Sequence, residues 1–417
     1  MSSLPRLLYT SLLMLLAPLA KKRLAREKVN ELSDSQRAGH ISPCQQPVIW
    51  AHCASVGEVL AAEPLLKQLQ QRHPNKQLVV TTMTATGAMQ VRQRFPDARH
   101  YLLPLDLPWN TTRFIRTLKP LVGIIFETEL WPNLIHSCKQ AGIPLMLANG
   151  RLSAKAFTAY KKIRPLIAEA LQSITLVAAK APVDAERFIE LGFPASRLQI
   201  TGSIKYDLQP PSDLPQQAAS LRAEWQRKCV WIAASTHEGE DLPLLQAHQQ
   251  LLKDDPDALL LLVPRHPQRF DQVAELIQQQ SMNMARRSQQ QPVTSATQVY
   301  LCDTLGEMLL FYAAADLAFV AGSLQPIGGH NLLEPAALGV PMITGPHLDN
   351  FAEIAELLRE VGGMKEIQQA SELAPLLLTL LKDPLSRENM TSAAYKVVES
   401  NRGALAKQLE LAESLFV

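Results

Sequence analysis

Two carboxylates one residue apart, Glu127 and Glu129 in the stretch E-T-E-L-W-P-N (127–133), follow directly on the apolar run Leu121–Phe126. That run reads as a buried parallel strand, and open α/β sheets place their ligands at the carboxyl ends of such strands. Carboxylates are costly to bury unless they are paired or used. The pair therefore marks a ligand site, or one of the two simply caps the helix that Pro132 and Asn133 begin. The spacing does not say which carboxylate faces a substrate.

A second constellation, H-C-A-S-V-G-E (52–58), follows the strand candidate Val48–Ala51. A Ser-x-Gly turn lets backbone N–H groups face a ligand, and Gly57 permits close approach. Glu58 then projects from the start of the next helix. It can serve as a general base if its pKa is tuned, or as a favourable negative charge at a helix N-terminus; position alone leaves both open. A third block, G-S-I-K-Y-D (202–207), ends the first half of the chain. Its Lys205 can reach an anionic substrate or remain a solvated surface lysine.

The second half carries a denser set. S-T-H-E-G-E (235–240) and V-P-R-H-P (263–267) each follow a strand candidate. Pro264 and Pro267 stiffen the second loop, and Arg265 offers a planar fork suited to phosphate or a pyrimidine edge. In G-S-L-Q-P-I-G-G-H-N-L-L-E-P (322–335) paired glycines precede a helix, a pattern that forms an anion cradle, and Glu334 can accept from two ribose hydroxyls. Leu305, Gly306 and Glu307 begin another helical segment. His52, His237, His266 and His330 lack the spacing of metal ligands, Asp255-Pro256-Asp257 reads as a turn, and neither a Walker loop nor a G-x-S-x-G elbow occurs.

These groups must be held by alternating elements. Strand candidates are Val48–Ala51, Leu78–Thr82, Leu121–Phe126, Leu145–Ala148, Ile174–Ala179 and Leu198–Thr201, then Val230–Ala234, Leu259–Val263, Val299–Cys302, Leu317–Ala321 and Val340–Thr344. Helical spacing fills the gaps, including Leu60–Gln71, Pro182–Leu191, Leu242–Leu252, Leu305–Ala315 and Leu332–Leu338, while the Gln-rich stretch Gln278–Gln291 reads as a helix end and surface loop. The proline-rich stretch 208–215 breaks the pattern and reads as a linker. The expected organisation is an N-terminal anchor with a basic flank (1–28), a first β/α domain (29–207), the linker, and a second β/α domain (216–417) whose last helix could pack back on the first. Two β/α domains of similar size imply a cleft between them.

At 417 residues the chain exceeds one ordinary core, and a net charge of +2 excludes a strongly basic nucleic-acid binder. Five widely spaced cysteines form no C-x-x-C pair and read as reduced core thiols. Leu7–Ala20 is uncharged and apolar, and its 14 residues would cover roughly 21 Å of helix, short of a bilayer core of about 30 Å. Lys21, Lys22, Arg23, Arg26 and Lys28 follow it, the reverse of a cleaved signal peptide. We expect a retained monotopic or marginally spanning anchor on a cytoplasmic membrane face, its basic flank meeting anionic lipid headgroups.

Together the blocks H-C-A-S-V-G-E, T-T-M-T-A-T-G (81–87), E-T-E-L-W-P-N, G-S-I-K-Y-D, S-T-H-E-G-E, V-P-R-H-P, G-G-H-N-L-L-E-P and G-P-H (345–347) resemble the transferases of 3-deoxy-D-manno-octulosonic acid (Kdo). The resemblance implies the GT-B architecture, two Rossmann-like β/α domains, and a membrane-associated, inverting enzyme at the cytoplasmic face of the bacterial inner membrane. Its donor would be CMP-Kdo and its acceptor a lipid A precursor. By family pattern Glu58 is the general base, Glu127 and Lys205 stabilise the transition state, and CMP is held by Pro264, Arg265, Leu305, Gly306, Glu307, Asn331, Leu332, Leu333 and Glu334. No metal or other cofactor is implied. The family often has proline where Leu332 stands and glycine where Ala321 stands. The competing expectations are a GT-B enzyme using a UDP-sugar and a non-enzymatic membrane-bound nucleotide-binding protein.

Overall fold

The computed structural model describes residues 3–24 and 27–416; the side chains of residues 17–24 also lie outside the description. The chain divides into two compact units, Met1–Asp207 with Asn401–Val417, and Leu208–Ser400. Unit 1 contains strands β1 (Val48–His52), β2 (Gln77–Thr82), β3 (Arg99–Leu102), β4 (Pro120–Phe126), β5 (Leu145–Gly150), β6 (Leu176–Ala179) and β7 (Leu198–Ile200). They form one parallel sheet in the order β3-β2-β1-β4-β5-β6-β7.

Helices cover both faces of this sheet, which explains the near-continuous apolar runs of its inner strands. Trp50, Val79, Ile125 and Leu147 face one layer, with Phe114, Leu134 and Phe188. Ile49, Val80, Ile124, Phe126 and Met146 face the other, with Leu65, Leu66 and Leu69. Gly123 in β4 makes room for the fully buried Trp50: a Cβ there would stand 2.9 Å from the indole. The strand order reverses between β1 and β4, so the loops after these two strands flank the switch point of the sheet.

Unit 2 repeats the plan with β8 (Val230–Thr236), β9 (Leu259–Pro264), β10 (Met284–Arg286), β11 (Val299–Leu301), β12 (Leu317–Val320), β13 (Met342–Thr344) and β14 (Lys365–Glu366). The order is β10-β11-β9-β8-β12-β13-β14, again all parallel, and it reverses between β8 and β12. Cys53, Cys138, Cys229 and Cys302 are buried free thiols, and Cys44 is half-buried.

Several sequence expectations are corrected. The expected boundary at 417 moves, since residues 401–417 belong with unit 1. As the sequence allowed, the last helix, Ala404–Glu413, packs back on the first unit and buries Ala404, Leu405, Leu409 and Ala412 beside Ile49, Leu65 and Phe126. The Gln-rich segment is not only helix end and loop, since it contains the edge strand β10. The helix expected from Leu305 begins at Met308, because Gly306 takes a positive φ of 89° that an α-helix does not accommodate.

The N-terminal helix runs from Leu4 to Leu24. No helix among the described residues is long and apolar enough to cross a membrane, so the marginally spanning form of the expected anchor is set aside. The apolar stretch is too short, with Arg6 ahead of it and Lys21 behind. Most of the expected basic flank (the side chains of Lys21, Lys22, Arg23 and Arg26) lies outside the described residues. The helix turns its polar side toward the protein: Arg6 and Thr10 are buried, whereas Leu4, Leu8, Leu12 and Leu15 are exposed.

Candidate active site

The switch point of unit 1 gathers its acids. Ser55 is the N-cap of the helix Val56–Arg72, and Glu58 stands at the third helical position. From there its carboxylate turns back on the loop, accepting from the Ala54 N–H at 2.7 Å and from the Ser55 hydroxyl at 3.2 Å. Both bonds favour the charged form, yet the Glu58 pKa is raised from 4.5 to about 7. Burial is the main cause, and the negative fields of Glu129 and Glu127 add to it. Glu58 therefore closes a helix N-terminus, one of its two sequence readings, with a carboxyl whose pKa lies near neutral pH.

Glu127 is the first residue after β4 and has a φ of 57°. Left-handed backbone is uncommon for a residue with a Cβ, and it re-aims the chain as the strand ends. The turn is pinned by the Glu127 N–H donating to the Ala148 carbonyl and by the Thr128 hydroxyl donating to the Arg151 carbonyl. Glu129 accepts from the Trp131 indole at 2.9 Å, and its pKa is raised by burial first and by Glu127 second. Neither acid caps the helix Pro132–Gln140. Asp106 does so, accepting from the Asn133 and Leu134 N–H groups at 3.1 and 2.8 Å. His52, by contrast, is a core residue: burial lowers its pKa to about 4, and its Nδ1 meets Thr81.

Lys205 sits exposed in a short 3-10 turn, Ile204–Tyr206, after β7. What holds that turn is the carboxy-terminal helix. Asp207 accepts from the N–H groups of Gly403 and Leu405, at 2.7 and 2.8 Å, and so caps the helix. Gln408, fully buried, donates to the Thr201 hydroxyl at 3.0 Å and accepts from the Asn149 N–H at 2.9 Å. The last residues of the chain thereby fix the loop that presents Lys205.

Unit 2 builds its own constellation at the β8/β12 switch point. Glu240, fully buried, is its hub. One oxygen accepts from the N–H groups of His237 (3.0 Å) and Gly322 (2.8 Å), the other from those of Ser323 and Leu324 (both 3.0 Å). A single carboxylate thus bolts the S-T-H-E-G-E turn to the glycine-rich loop. Across the junction His237 and His330 stack with Nε2···Nε2 at 2.8 Å, and Gly322 lets them meet, since a Cβ there would lie 2.8 Å from the His330 ring. Burial lowers both imidazole pKa values, that of His330 to about 4, which favours a neutral ring for the Nε2···Nε2 hydrogen bond. The sequence named this turn without singling out Glu240: two glutamates stand in H-E-G-E, and no periodicity separates the exposed Glu238 from the buried Glu240.

Four of the residues expected to contact a nucleotide, Pro264, Arg265, Asn331 and Glu334, lie around this junction. Pro264 ends β9 and Arg265 follows it, with its N–H bonded to the Thr236 carbonyl at 3.0 Å. Arg265 lies near enough to Glu334 to oppose the upward shift that burial imposes on that acid. Asn331 donates to Glu334 at 3.1 Å and accepts from the Leu333 N–H at 3.1 Å. The expected anion cradle is smaller than the glycine pattern suggested. The helix is only Leu333–Ala337, its Leu333 N–H is taken by Asn331, and the Gly329 N–H donates to Gly322. Leu332 and Leu333 are buried side chains, leaving backbone alone for a ligand. Glu307 is held by Arg287 through two bonds and accepts from Thr304, which lowers its pKa, while Leu305 beside it is exposed. Among the described residues no group of three or more His, Cys, Asp or Glu side chains is arranged to hold a metal ion.

Two parallel, doubly wound seven-stranded units, with the acids of one and the Glu240 hub of the other at the switch points of their sheets, give a GT-B-like architecture. The crystal structure of MurG from Acinetobacter baumannii shares this fold, with a TM-score of 0.55 and 16% identity over 88% of this chain and 99% of its own. Residues 28–208 match the family model of the 3-deoxy-D-manno-octulosonic-acid transferases. A 3-deoxy-D-manno-octulosonic acid transferase of Haemophilus influenzae is 44% identical over 97% of both chains. The corresponding transferase of Bordetella pertussis is 34% identical over 90% of both. The chain belongs to the 3-deoxy-D-manno-octulosonic acid transferases, and it is a glycosyltransferase.

Proposed function

We propose that this transferase moves Kdo from CMP-Kdo to a hydroxyl of a lipid A precursor with inversion, using Glu58 as general base. The observation that carries this reading is the Glu58 carboxyl: raised to about 7 by burial and by its neighbouring acids, it can hold a proton and still be substantially ionised at neutral pH. As the acceptor oxygen attacks the anomeric carbon, its proton passes to Glu58, the new glycosidic bond forms and the bond to the CMP phosphate breaks. Glu127 opposes the positive charge that grows at the anomeric centre, and Lys205 meets the negative charge of donor and leaving group. Pro264, Arg265, Leu305–Glu307 and Asn331–Glu334 hold CMP. In this reading the leaving phosphate is met by protein donors and no step requires a metal.

The N-terminal helix supports a peripheral position on the cytoplasmic face of a bacterial inner membrane. Its outward leucines would enter the interface, while its polar side stays on the protein. The experiment is mass spectrometry of products from purified protein, CMP-Kdo and a tetra-acylated lipid A precursor, with Glu58→Ala run alongside. A product heavier by Kdo, lost in the variant, is expected. Equal product from Glu58→Ala would move the base elsewhere, and no product from a protein that binds CMP would overturn the donor–acceptor pair.

A further inference from the structure

Beneath the N-terminal helix lies a cavity of about 360 Å³, walled by that helix, by Pro108–Leu118 and by Pro132–Gln140. We propose that it binds the phosphate group of a membrane lipid, whose acyl chains continue along the leucine face of the helix. The lining supports this. Arg6, Arg116 and His136 face the cavity together with Thr10, Thr112 and Asn133, and no carboxylate among the described residues lines it. The Arg6 side chain is only 6% exposed, and its partner Glu169 stands at 3.6 Å, outside hydrogen-bond range. Arg116 is exposed and has no ion pair among the described residues. The positive field is felt within the site: after burial, Arg6 is the strongest influence lowering the His136 pKa, and Glu169 offsets it only in part.

A buried guanidinium with an incomplete set of acceptors, a second free to turn inward and hydroxyls between them match a tetrahedral phosphate. The lipid source follows from the neighbouring surface. Leu7 lines the cavity mouth, and Leu4, Leu8, Leu12 and Leu15 extend from it as an exposed apolar stripe. A free anion would leave that stripe in water. Tyr9 ties the arrangement down, donating to Asp106 at 2.9 Å, the same acid that caps the helix carrying His136.

This site rests on the membrane-facing reading of the helix, and the test separates the two. Calorimetric titration of the full chain with dihexanoyl phosphatidic acid, which is soluble as monomer, is compared with dihexanoyl phosphatidylcholine and inorganic phosphate. Phosphatidic acid is expected to bind about tenfold or more tightly than either, and Arg116→Gln and His136→Gln each to weaken it about tenfold. Arg116 is on the surface, so its variant retains the fold, which circular dichroism checks. Equal affinity for inorganic phosphate, unchanged affinity in both variants, or no binding at all would each overturn the proposal. Sedimentation with phosphatidylcholine vesicles tests the helix alone: a chain that ignores vesicles yet binds soluble phosphatidic acid removes the membrane reading and leaves the cavity standing.

Discussion

Glu58 shows how competing effects on one carboxyl are decided. Two hydrogen bonds favour its charge, but burial and the fields of Glu129 and Glu127 outweigh them, and the pKa climbs from 4.5 to about 7. A base must be ionised to act, so kcat/KM should rise with pH up to about 7 and level off above it. Glu129→Gln removes a negative neighbour and should move that limb to lower pH; an unmoved limb in a pH–rate profile would show that Glu129 does not tune the base. Glu58→Gln should lower kcat by about 10²–10⁴-fold. The same shift has a stability sign. Because the folded pKa lies above the unfolded one, the group's contribution is fully present below about pH 4.5 and is lost as pH rises through about 7. Glu58→Gln should therefore raise the thermal midpoint near pH 8 and leave it unchanged near pH 4, which calorimetric melts at the two pH values would check.

At the scale of elements, the carboxy-terminal helix is the part whose placement bears most on chemistry. Gln408 joins it to Thr201 and Asn149, and Asp207 caps it, so the turn bearing Lys205 is held from the far end of the chain. Gln408→Leu leaves buried polar partners unmet and should cost about 1–3 kcal/mol in denaturant unfolding. It should also lower kcat in parallel with Lys205→Ala; full turnover by the destabilised variant would show that the turn needs no such support. The sequence announced the inner strands because they are buried on both faces, as the all-buried β1 and β9 illustrate. It hid β3, β10 and β14, which are edge strands of two to four residues such as Arg99–Leu102 and Lys365–Glu366, too short and too polar for an apolar run. The site was legible as blocks at strand ends, since strand order puts those ends together. Glu240, Gln408 and Asp106 were not legible, because a polar residue that satisfies distant backbone groups leaves no local pattern. The stretch Leu7–Ala20 reads as apolar from its leucines, but which side of its helix faces the protein is decided by Arg6, Tyr9 and Thr10, and only packing shows that.

For the whole molecule, each unit carries a complete fold and its own constellation, so the two halves of the proposed reaction should separate kinetically. Unit 1 holds the acids and Lys205, groups that in the proposed reaction would do their work in the transition state. Unit 2 holds Arg265, Asn331 and Glu334, which would grip the nucleotide before and during transfer. Glu240 is fully buried, and four backbone N–H groups converge on it. Glu240→Gln places an amide NH₂ against two of those donors, which forces the β8 loop and the glycine-rich loop apart. The expected result is a KM for CMP-Kdo raised about tenfold or more, with kcat at saturating donor kept within a few-fold, and weaker protection from thermal unfolding by CMP. Glu127→Gln should give the opposite signature, a lower kcat with donor KM and CMP protection intact. A Glu240→Gln enzyme that loses kcat while binding CMP normally would mean that unit 2 shapes the transition state directly. The buried carboxylate would then belong to the chemistry as well as to the grip on the donor.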